Sequence, residues 1–307
     1  MTWPWRLVVG CDFSAEGDVA LGQAIATARL TGAELVLAHV MRSERRASEP
    51  HGEGSRSKRE AWGSPNGLRT RLEHAREELR DAKVAPSDVV AEGEADETLT
   101  DLQRSTEAEL LVLGSHGRSG VRWLLMGSVA ERAARVAHPA VLIARREVVG
   151  RRGFRRILVP TDYSELSLAA LEGALALAAP GARVDVLHCW QSVGPGPGEA
   201  RGGDRLEEGA GGAVLDEADR RGRALVARYR GDRSALELAL AKTPPRQGIH
   251  SALETGQYDL VALGGRGHRE PKRWLLGRVA DAIARHAPCS VLLVNAPVRA
   301  AIARRAA

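Results

Sequence analysis

The sequence repeats itself at an interval of 150 residues, and this repeat constrains the fold more than any other feature. Asp12 lies in the run Val-Gly-Cys-Asp-Phe-Ser, and Asp162 lies in the similar run Val-Pro-Thr-Asp-Tyr-Ser. Leu110–Gly117 and Leu260–Gly267 match at the same interval. One compact domain usually has about 100–200 residues, so the repeat predicts two tandem domains. We expect the domains, and a basic tail after them, at residues 1–147, 153–297 and 298–307.

Each half alternates the patterns of strands and helices. Leu7–Cys11, Leu35–Val40 and Leu110–Leu113 are short apolar runs of the kind found in buried strands. Strands that alternate with helices predict a parallel sheet covered on both faces. Such sheets bind ligands beyond the carboxyl ends of the strands, where the strand order reverses. The polar stretch 42–66 predicts a mobile insertion, and the Gly/Pro-rich stretch 191–212 predicts a loop.

Composition and charge exclude several classes of protein. With 44% hydrophobic and 27% charged residues the chain is typical of a globular protein, and no apolar run approaches the ~20 residues that span a bilayer. The first residues lack the basic and long apolar regions of a signal peptide, so we expect a cytoplasmic protein without a membrane partner. The net charge of +5 comes from arginines in the joint near 145–156 and in the tail. No aromatic residues alternate with them, which favours a solvated linker over a nucleic-acid surface.

The three cysteines do not form a metal-binding pattern. Cys11, Cys189 and Cys289 are far apart and lie in or beside strand patterns. This placement favours small buried hydrophobic residues over reactive thiols. We therefore predict no metal site and no disulfide framework.

A glycine-rich loop follows the strand at Leu110–Leu113. It contains Gly114, Gly117 and Gly127, and Ser128 then opens a helical pattern. Glycine lets another group approach the backbone closely, and a helix N-terminus offers unpaired N–H groups and a positive dipole end. The loop therefore predicts a phosphate-binding site.

This loop resembles the ATP-binding signature of the universal stress protein family, and the whole chain is similar to the tandem form of that family. The resemblance implies an α/β fold of two doubly wound domains, each a five-stranded parallel sheet in the order 3-2-1-4-5. This Rossmann-like architecture is that of the adenine nucleotide alpha hydrolase-like fold. The implied ligand is ATP, with the participation of Mg²⁺ left open. The Asp12 side chain and the Val40 backbone would hold the adenosine end. The phosphates would contact Gly114, Gly117, Gly127, Ser128, Val129 and Ala130.

Several of these residues also have a structural interpretation. Asp12 could simply turn the chain after the first strand, and Ser128 could act only as a helix N-cap. His116 lies on the loop, where contact with phosphate and exposure to solvent are equally open. His39 and His188 end matching strands, which favours hydrogen-bonded structural histidines over catalytic or metal-binding ones.

The second half keeps part of this pattern. It retains Asp162, Gly264, Gly267 and Gly277, but Arg278 replaces the hydroxyl of Ser128. An arginine there either fills the phosphate pocket or pairs with a phosphate as a substitute donor. We therefore expect the second site to be impaired or altered.

No signature of a hydrolase accompanies the loop. The leading hypothesis is an adenine-nucleotide-binding stress or regulatory protein with slow ATP turnover at most. Its nucleotide state would be coupled to partner contacts, in a homodimer or through pairing of its own two domains. Two alternatives remain: an ATP-hydrolysing or nucleotidyl-transfer enzyme of the same fold class, and an interaction scaffold that binds no nucleotide.

Overall fold

The computed structural model divides the chain into two compact units, the first built on Met1–Gly153 and the second on Phe154–Val298. The residues that it describes are 3–41, 65–116, 126–145, 153–191, 205–229, 234–266 and 276–298. Most of the predicted insertion at 42–66 lies outside these ranges, as do Gly117 and Gly267. None of the helices in the described ranges has the length and apolar character needed to cross a membrane.

The first unit is a five-stranded parallel sheet in the order β3-β2-β1-β4-β5. Its elements are β1 (Arg6–Gly10), α1 (Ala15–Thr31), β2 (Glu34–Met41), α2 (Pro65–Asp81), β3 (Pro86–Glu92), α3 (Ala95–Ser105), β4 (Leu110–Gly114), α4 (Ser128–Val136) and β5 (Ala140–Ala144). Apolar side chains of the central strands form the core, and Leu7, Leu110 and Leu111 are fully buried.

The second unit repeats this architecture, with five parallel strands in the order β8-β7-β6-β9-β10. Its elements are β6 (Phe154–Pro160), α5 (Glu165–Leu177), β7 (Ala178–Trp190), α6 (Arg205–Tyr229), β8 (Ser234–Lys242), α7 (Pro245–Thr255), β9 (Leu260–Gly264), α8 (Arg278–His286) and β10 (Ser290–Val294). The predicted α/β fold with strand order 3-2-1-4-5 in each domain is therefore confirmed.

Local signals in the sequence explain the bounds of α1. The Ser14 hydroxyl caps its start by accepting the Gly17 N–H, and Gly32 ends it in the left-handed conformation with φ 76°. Ser164 caps α5 in the same way by accepting the Ser167 N–H. Because both caps follow the Asp residue of the repeat, each unit enters its first helix through the same turn.

The prediction of a loop over 191–212 is wrong for its last part, because α6 begins at Arg205. Glycines lower the helix propensity of this stretch, but propensity is only a small contribution to helix stability, and tertiary packing often outweighs it. Further along the helix, Leu225 and Val226 are buried, and this packing stabilises the helix as a whole.

Candidate functional site

The reversal point of the first sheet lies between β1 and β4. These strands pair with Gly10 opposite Leu113, and β1 pairs with β2 through Gly10 and Ala38. Asp12 follows β1, Gly114 ends β4, and Val40 lies two residues beyond Ala38 on β2. The predicted residues therefore lie along one carboxyl edge, which is where doubly wound sheets bind ligands.

Asp12 is half-buried and forms a turn at this edge. Its Oδ1 accepts hydrogen bonds from the backbone N–H of Ser14 at 3.0 Å and from the Ser14 hydroxyl at 2.5 Å. Gly17 makes room for the carboxylate, since a Cβ at position 17 would lie 2.6 Å from Oδ1. Asp12 thus turns the chain after β1, and the same turn fixes the position of its carboxylate.

Phe13, the residue after Asp12, has a left-handed backbone conformation that its residue type does not predict. Phe13 has φ 57°, in the left-handed region, and its ring packs 5.1 Å from the ring of His39. Arg71 of α2 donates a hydrogen bond to the Phe13 carbonyl at 2.9 Å. In the second unit Tyr163 has φ 61° and packs 4.6 Å from His188. A bulky residue is uncommon in this region, so each turn is held by its surroundings.

Both strand-end histidines are hydrogen-bonded, as predicted. His39 Nδ1 lies 2.8 Å from the Cys11 carbonyl oxygen, and His188 Nδ1 lies 2.8 Å from that of Thr161. A carbonyl oxygen only accepts, so Nδ1 carries the proton in both rings. Their role in the structure is to hold the turn beside each first strand.

The loop after β4 is closed by the main chain. The Ser115 N–H donates to the Ala144 carbonyl at 3.0 Å, and the Ser115 carbonyl accepts the Gly127 N–H at 2.8 Å. Gly127 is the N-cap of α4 with φ −61° and ψ 152°, and its carbonyl accepts the Glu131 N–H at 2.8 Å. The alternative that Ser128 acts only as the helix N-cap is therefore wrong, because Gly127 takes the cap position and Ser128 is the exposed first helical residue.

A glycine cap provides no side-chain acceptor for the first turn of α4. The N–H groups of Ser128, Val129 and Ala130 belong to this turn, where the helix itself supplies no acceptor. Val129 is half-buried and Ala130 is buried, so the start of the helix is anchored in the unit. These donors, together with the positive end of the helix dipole, suit an anionic ligand.

Gly114 has a packing role that the motif alone does not reveal. A Cβ at this position would lie 2.7 Å from the Glu16 carbonyl oxygen and 2.9 Å from its carbon. At Gly264 a Cβ would lie 2.9 Å from both Leu166 C and Ser167 N. Both glycines thus allow the end of a central strand to touch the backbone of the unit's first helix.

A cavity of about 220 Å³ opens beside Val40. It lies between the ends of β2 and β3 and the face of α3, and it includes none of the other predicted site residues. Its walls are mainly apolar, with two hydroxyls and one carboxylate at the helix side. The lining residues are Ala38, His39, Val40, Val89, Ala91, Thr98, Asp101, Leu102 and Ser105.

The second unit keeps the cap and changes the surroundings. Gly277 is the N-cap of α8 with φ −60° and ψ 144°, and Arg278 is the exposed first helical residue. Asp162 is exposed, whereas Asp12 is half-buried, although Asp162 Oδ1 also accepts the Ser164 N–H at 3.0 Å. The two carboxylates therefore differ in their access to solvent.

The first loop residue also differs between the units. Gly265 stands where the first unit has Ser115, and a Cβ there would lie 1.9 Å from Asn295 Oδ1. The guanidinium of Arg266 donates to the Asn295 carbonyl at 3.0 Å. The Asn295 side chain therefore occupies the space that a side chain at position 265 would need.

Two of the three cysteines are buried, as the strand patterns around them predict. Cys11 and Cys289 are buried, and no cysteine of the described ranges is in a disulfide. Burial raises the pKa of the half-buried Cys189 thiol to about 11, so it stays protonated at neutral pH. The same ranges contain no group of three His, Cys, Asp or Glu side chains placed to hold a metal ion.

Comparisons with known proteins agree with this architecture. The family model described as Universal stress protein family matches residues 6–145 and again residues 153–295, which together make up most of the chain. A universal stress protein of Mycobacterium bovis is 32% identical over 139 residues, and one of Mycobacterium tuberculosis is 50% identical over 44 residues. The matches cover 45% and 14% of this chain, and the chain spans 45% and 15% of those relatives' own lengths.

A solved structure shares the fold over nearly the full length. The universal stress protein of Archaeoglobus fulgidus is 17% identical, with a TM-score of 0.63 over 94% of this chain and 97% of that one. On the strength of two family matches in tandem, the chain belongs to the universal stress protein family.

Proposed function

We propose that the first unit binds an adenine nucleotide, ATP, and that the protein is a stress-response regulator. In this proposal the nucleotide state changes the contacts of the protein with a partner or a second copy. The observation that carries the proposal is the start of α4, where a cap without a side chain leaves first-turn donors at the carboxyl edge of the sheet. Membership of the universal stress protein family supports a role in stress response.

The residues of the crevice fit a nucleotide. The first-turn N–H groups of Ser128, Val129 and Ala130 would hold phosphate oxygens, which are strong acceptors. The Asp12 carboxylate, fixed by its turn with Ser14, would accept hydrogen bonds from a ribose hydroxyl. A Mg²⁺ ion, if it accompanies the phosphates, keeps several of its waters and needs few protein ligands.

We infer that the base lies near Val40, where the structure has a mainly apolar cavity. Small-molecule sites are mainly apolar, with a few polar groups that fix orientation. The Val40 backbone at the cavity wall offers both a donor and an acceptor to such a base.

Chemical analysis of the purified protein tests the proposal. The protein is denatured, the released small molecules are identified, and stripped protein is titrated with ATP by calorimetry. We expect about one nucleotide per chain, since only the first unit combines the glycine cap with a following hydroxyl. Absence of nucleotide in both experiments would favour the scaffold alternative and contradict the proposal.

A turnover assay separates the regulator from an enzyme. Sustained hydrolysis of ATP that is lost in Ser128→Ala would favour the enzyme alternative. Stoichiometric binding without sustained turnover is the result that we expect.

A further inference from the structure

One buried nitrogen at the start of the loop has no hydrogen-bond partner among the described residues. This atom is His116 Nε2, while Nδ1 of the same ring lies 3.0 Å from the Ser115 hydroxyl oxygen. Buried polar side-chain atoms in folded proteins nearly always have a partner. The Nε2 atom therefore marks a place where a partner from outside the described chain is expected.

The Ser115 hydroxyl permits a tautomer that a carbonyl partner forbids. His39 and His188 face backbone carbonyls, so their Nδ1 atoms must carry the proton. A hydroxyl can donate as well as accept, and when it donates to Nδ1 the proton of a neutral ring is on Nε2. In that state His116 presents its buried nitrogen as a donor.

We propose that Ser115 holds His116 in the Nε2–H tautomer, and that this N–H donates to an anionic oxygen of the bound nucleotide. His116 is then a binding residue, and Ser115 is a positioning residue that acts through it. The inference rests on the proposed function, because phosphate oxygens accept hydrogen bonds and an Nε2 lone pair would repel them.

The main chain of Ser115 connects His116 to the start of α4. Its carbonyl accepts the N–H of Gly127, the cap of α4, so His116 directly follows a residue bonded to the cap. Ser115 is only 5% exposed, and this burial limits the orientations of its hydroxyl.

The second unit lacks both members of the pair. Gly265 has no hydroxyl, and Arg266 donates instead to the Asn295 carbonyl. Arg266→Gln is therefore the matched control for the His116 variants in the binding tests below, because position 266 is the equivalent of position 116.

Nuclear magnetic resonance of the ring nitrogens tests the tautomer. The full-length protein is labelled with ¹⁵N at histidine and measured at about pH 8, above the usual histidine pKa of about 6.5. We expect His116, assigned through His116→Gln, to carry its proton on Nε2, while His39 and His188 carry theirs on Nδ1. Protonation of His116 at Nδ1, or no change in its tautomer ratio in Ser115→Ala, would overturn the proposal.

Titration tests the contact itself, with ATP and inorganic tripolyphosphate as probes. His116→Phe should weaken binding of both by about tenfold to a hundredfold, the usual effect of losing a hydrogen bond to a charged group. His116→Gln, which keeps an N–H donor near the Nε2 position, should restore most of the affinity. Equal affinities for wild type and His116→Phe would overturn the proposal.

A double-mutant cycle identifies the role of Ser115. Ser115→Ala should weaken binding when residue 116 is His and have little effect when it is Gln, because only the imidazole needs its tautomer set. Equal losses in both backgrounds would show that Ser115 acts independently and overturn its positioning role.

The two probes separate this inference from the proposed function. Wild type that binds ATP, with no loss of ATP affinity in His116→Phe, would overturn the inference and leave the proposed function standing. Wild type that binds tripolyphosphate through His116 but does not bind ATP would contradict the proposed function and leave only a contact of His116 with phosphate oxygens. Wild type that binds neither probe would overturn both.

Discussion

The N-cap of α4 is glycine, although its backbone conformation suits any residue. Gly127 has φ −61° and ψ 152°, which is extended backbone without strain. Helix caps with hydroxyl, amide or carboxylate side chains are usually more stabilising than glycine. The absence of a side chain at this position therefore favours access to the helix start over stability.

We expect Gly127→Val to abolish nucleotide binding while the unit stays folded, because a branched side chain would stand where phosphate approaches the first-turn N–H groups. Calorimetric titration with ATP measures the loss, and circular dichroism checks the fold. Gly277→Val, at the matching cap of the second unit, should affect binding much less. Equal losses in the two variants would contradict the asymmetry between the units.

Gly127→Asp should increase the stability of the protein and decrease its affinity for ATP. A carboxylate at the N-cap accepts first-turn N–H groups and interacts favourably with the helix dipole, so the variant should be more stable by about 0.3–1 kcal/mol. The same carboxylate would compete with phosphate and repel it, so ATP affinity should fall. Urea denaturation and titration measure the two effects. A variant that gains ATP affinity would show that the cap does not face the ligand. A variant that loses stability would contradict the capping argument.

Among the secondary-structure elements, the contact of α1 with β4 depends on one missing side chain. A Cβ at Gly114 meets backbone atoms of Glu16, which cannot move without shifting the helix. Gly22, inside the same helix, has no atom within 4 Å of its Cβ position apart from its chain neighbours and the nearby backbone of the helix itself. A methyl group added at Gly114 should therefore destabilise the packing of α1, whereas one added at Gly22 should be accommodated.

Gly114→Ala should destabilise the protein by about 1–3 kcal/mol, the usual effect of overpacking. Gly22→Ala should stabilise it by about 0.5–1 kcal/mol, since alanine is the better helix former and its methyl group meets open space. Thermal or urea denaturation followed by circular dichroism gives both values. A neutral Gly114→Ala would mean that α1 adjusts its position freely.

Much of this level of structure could be predicted from the sequence. Apolar runs predicted β1 and β4, because burial of a short strand is a local signal. Ser14 and Gly32, which cap α1 in the structure, are residue types typical of helix ends. The contact of Gly114 with Glu16 joins residues far apart in the chain, so the motif suggested only a ligand role for that glycine. The alternative of an N-cap at Ser128 differs from the observed cap by one residue, because glycine and serine are both acceptable at a helix start. The orphaned nitrogen of His116 depends on burial, which no spacing predicts.

At the scale of the whole molecule, the two units share a fold and differ in their chemistry. All three tyrosines, Tyr163, Tyr229 and Tyr258, belong to the second unit. Each phenol donates a hydrogen bond, to the Ala218 carbonyl, to Glu172 and to Asp185 respectively. Tyrosine ionisation therefore reports on the second unit alone.

This difference predicts how the second unit responds to alkali. Burial raises the pKa of Tyr163 to about 12, and burial together with the hydrogen bond to Glu172 raises that of Tyr229 to about 12. An unfolded tyrosine has a pKa of about 10. The contribution of the two protonated phenols to the free energy of unfolding is therefore fully present below pH 10, and it is lost as the pH rises from about 10 to 12. We expect phenolate absorbance to appear together with loss of helical signal in this window.

Tyr229→Phe provides the control for this titration. Its stability should fall less steeply over the same window, because one of the shifted groups is gone. Phenolate formation with an ordinary pKa of about 10 in the folded protein would contradict the prediction.

In each unit a main-chain hydrogen bond joins the described residues at the two ends of the glycine-rich segment. Gly127 N–H donates to the Ser115 carbonyl at 2.8 Å, and Gly277 N–H donates to the Gly265 carbonyl at 2.7 Å. Main-chain atoms are the same in nearly every residue, so this hydrogen bond does not depend on the side chains of the residues between its ends. The strand before each segment and the helix after it can therefore keep their places whatever the sequence between them, and the two segments of this chain differ in sequence.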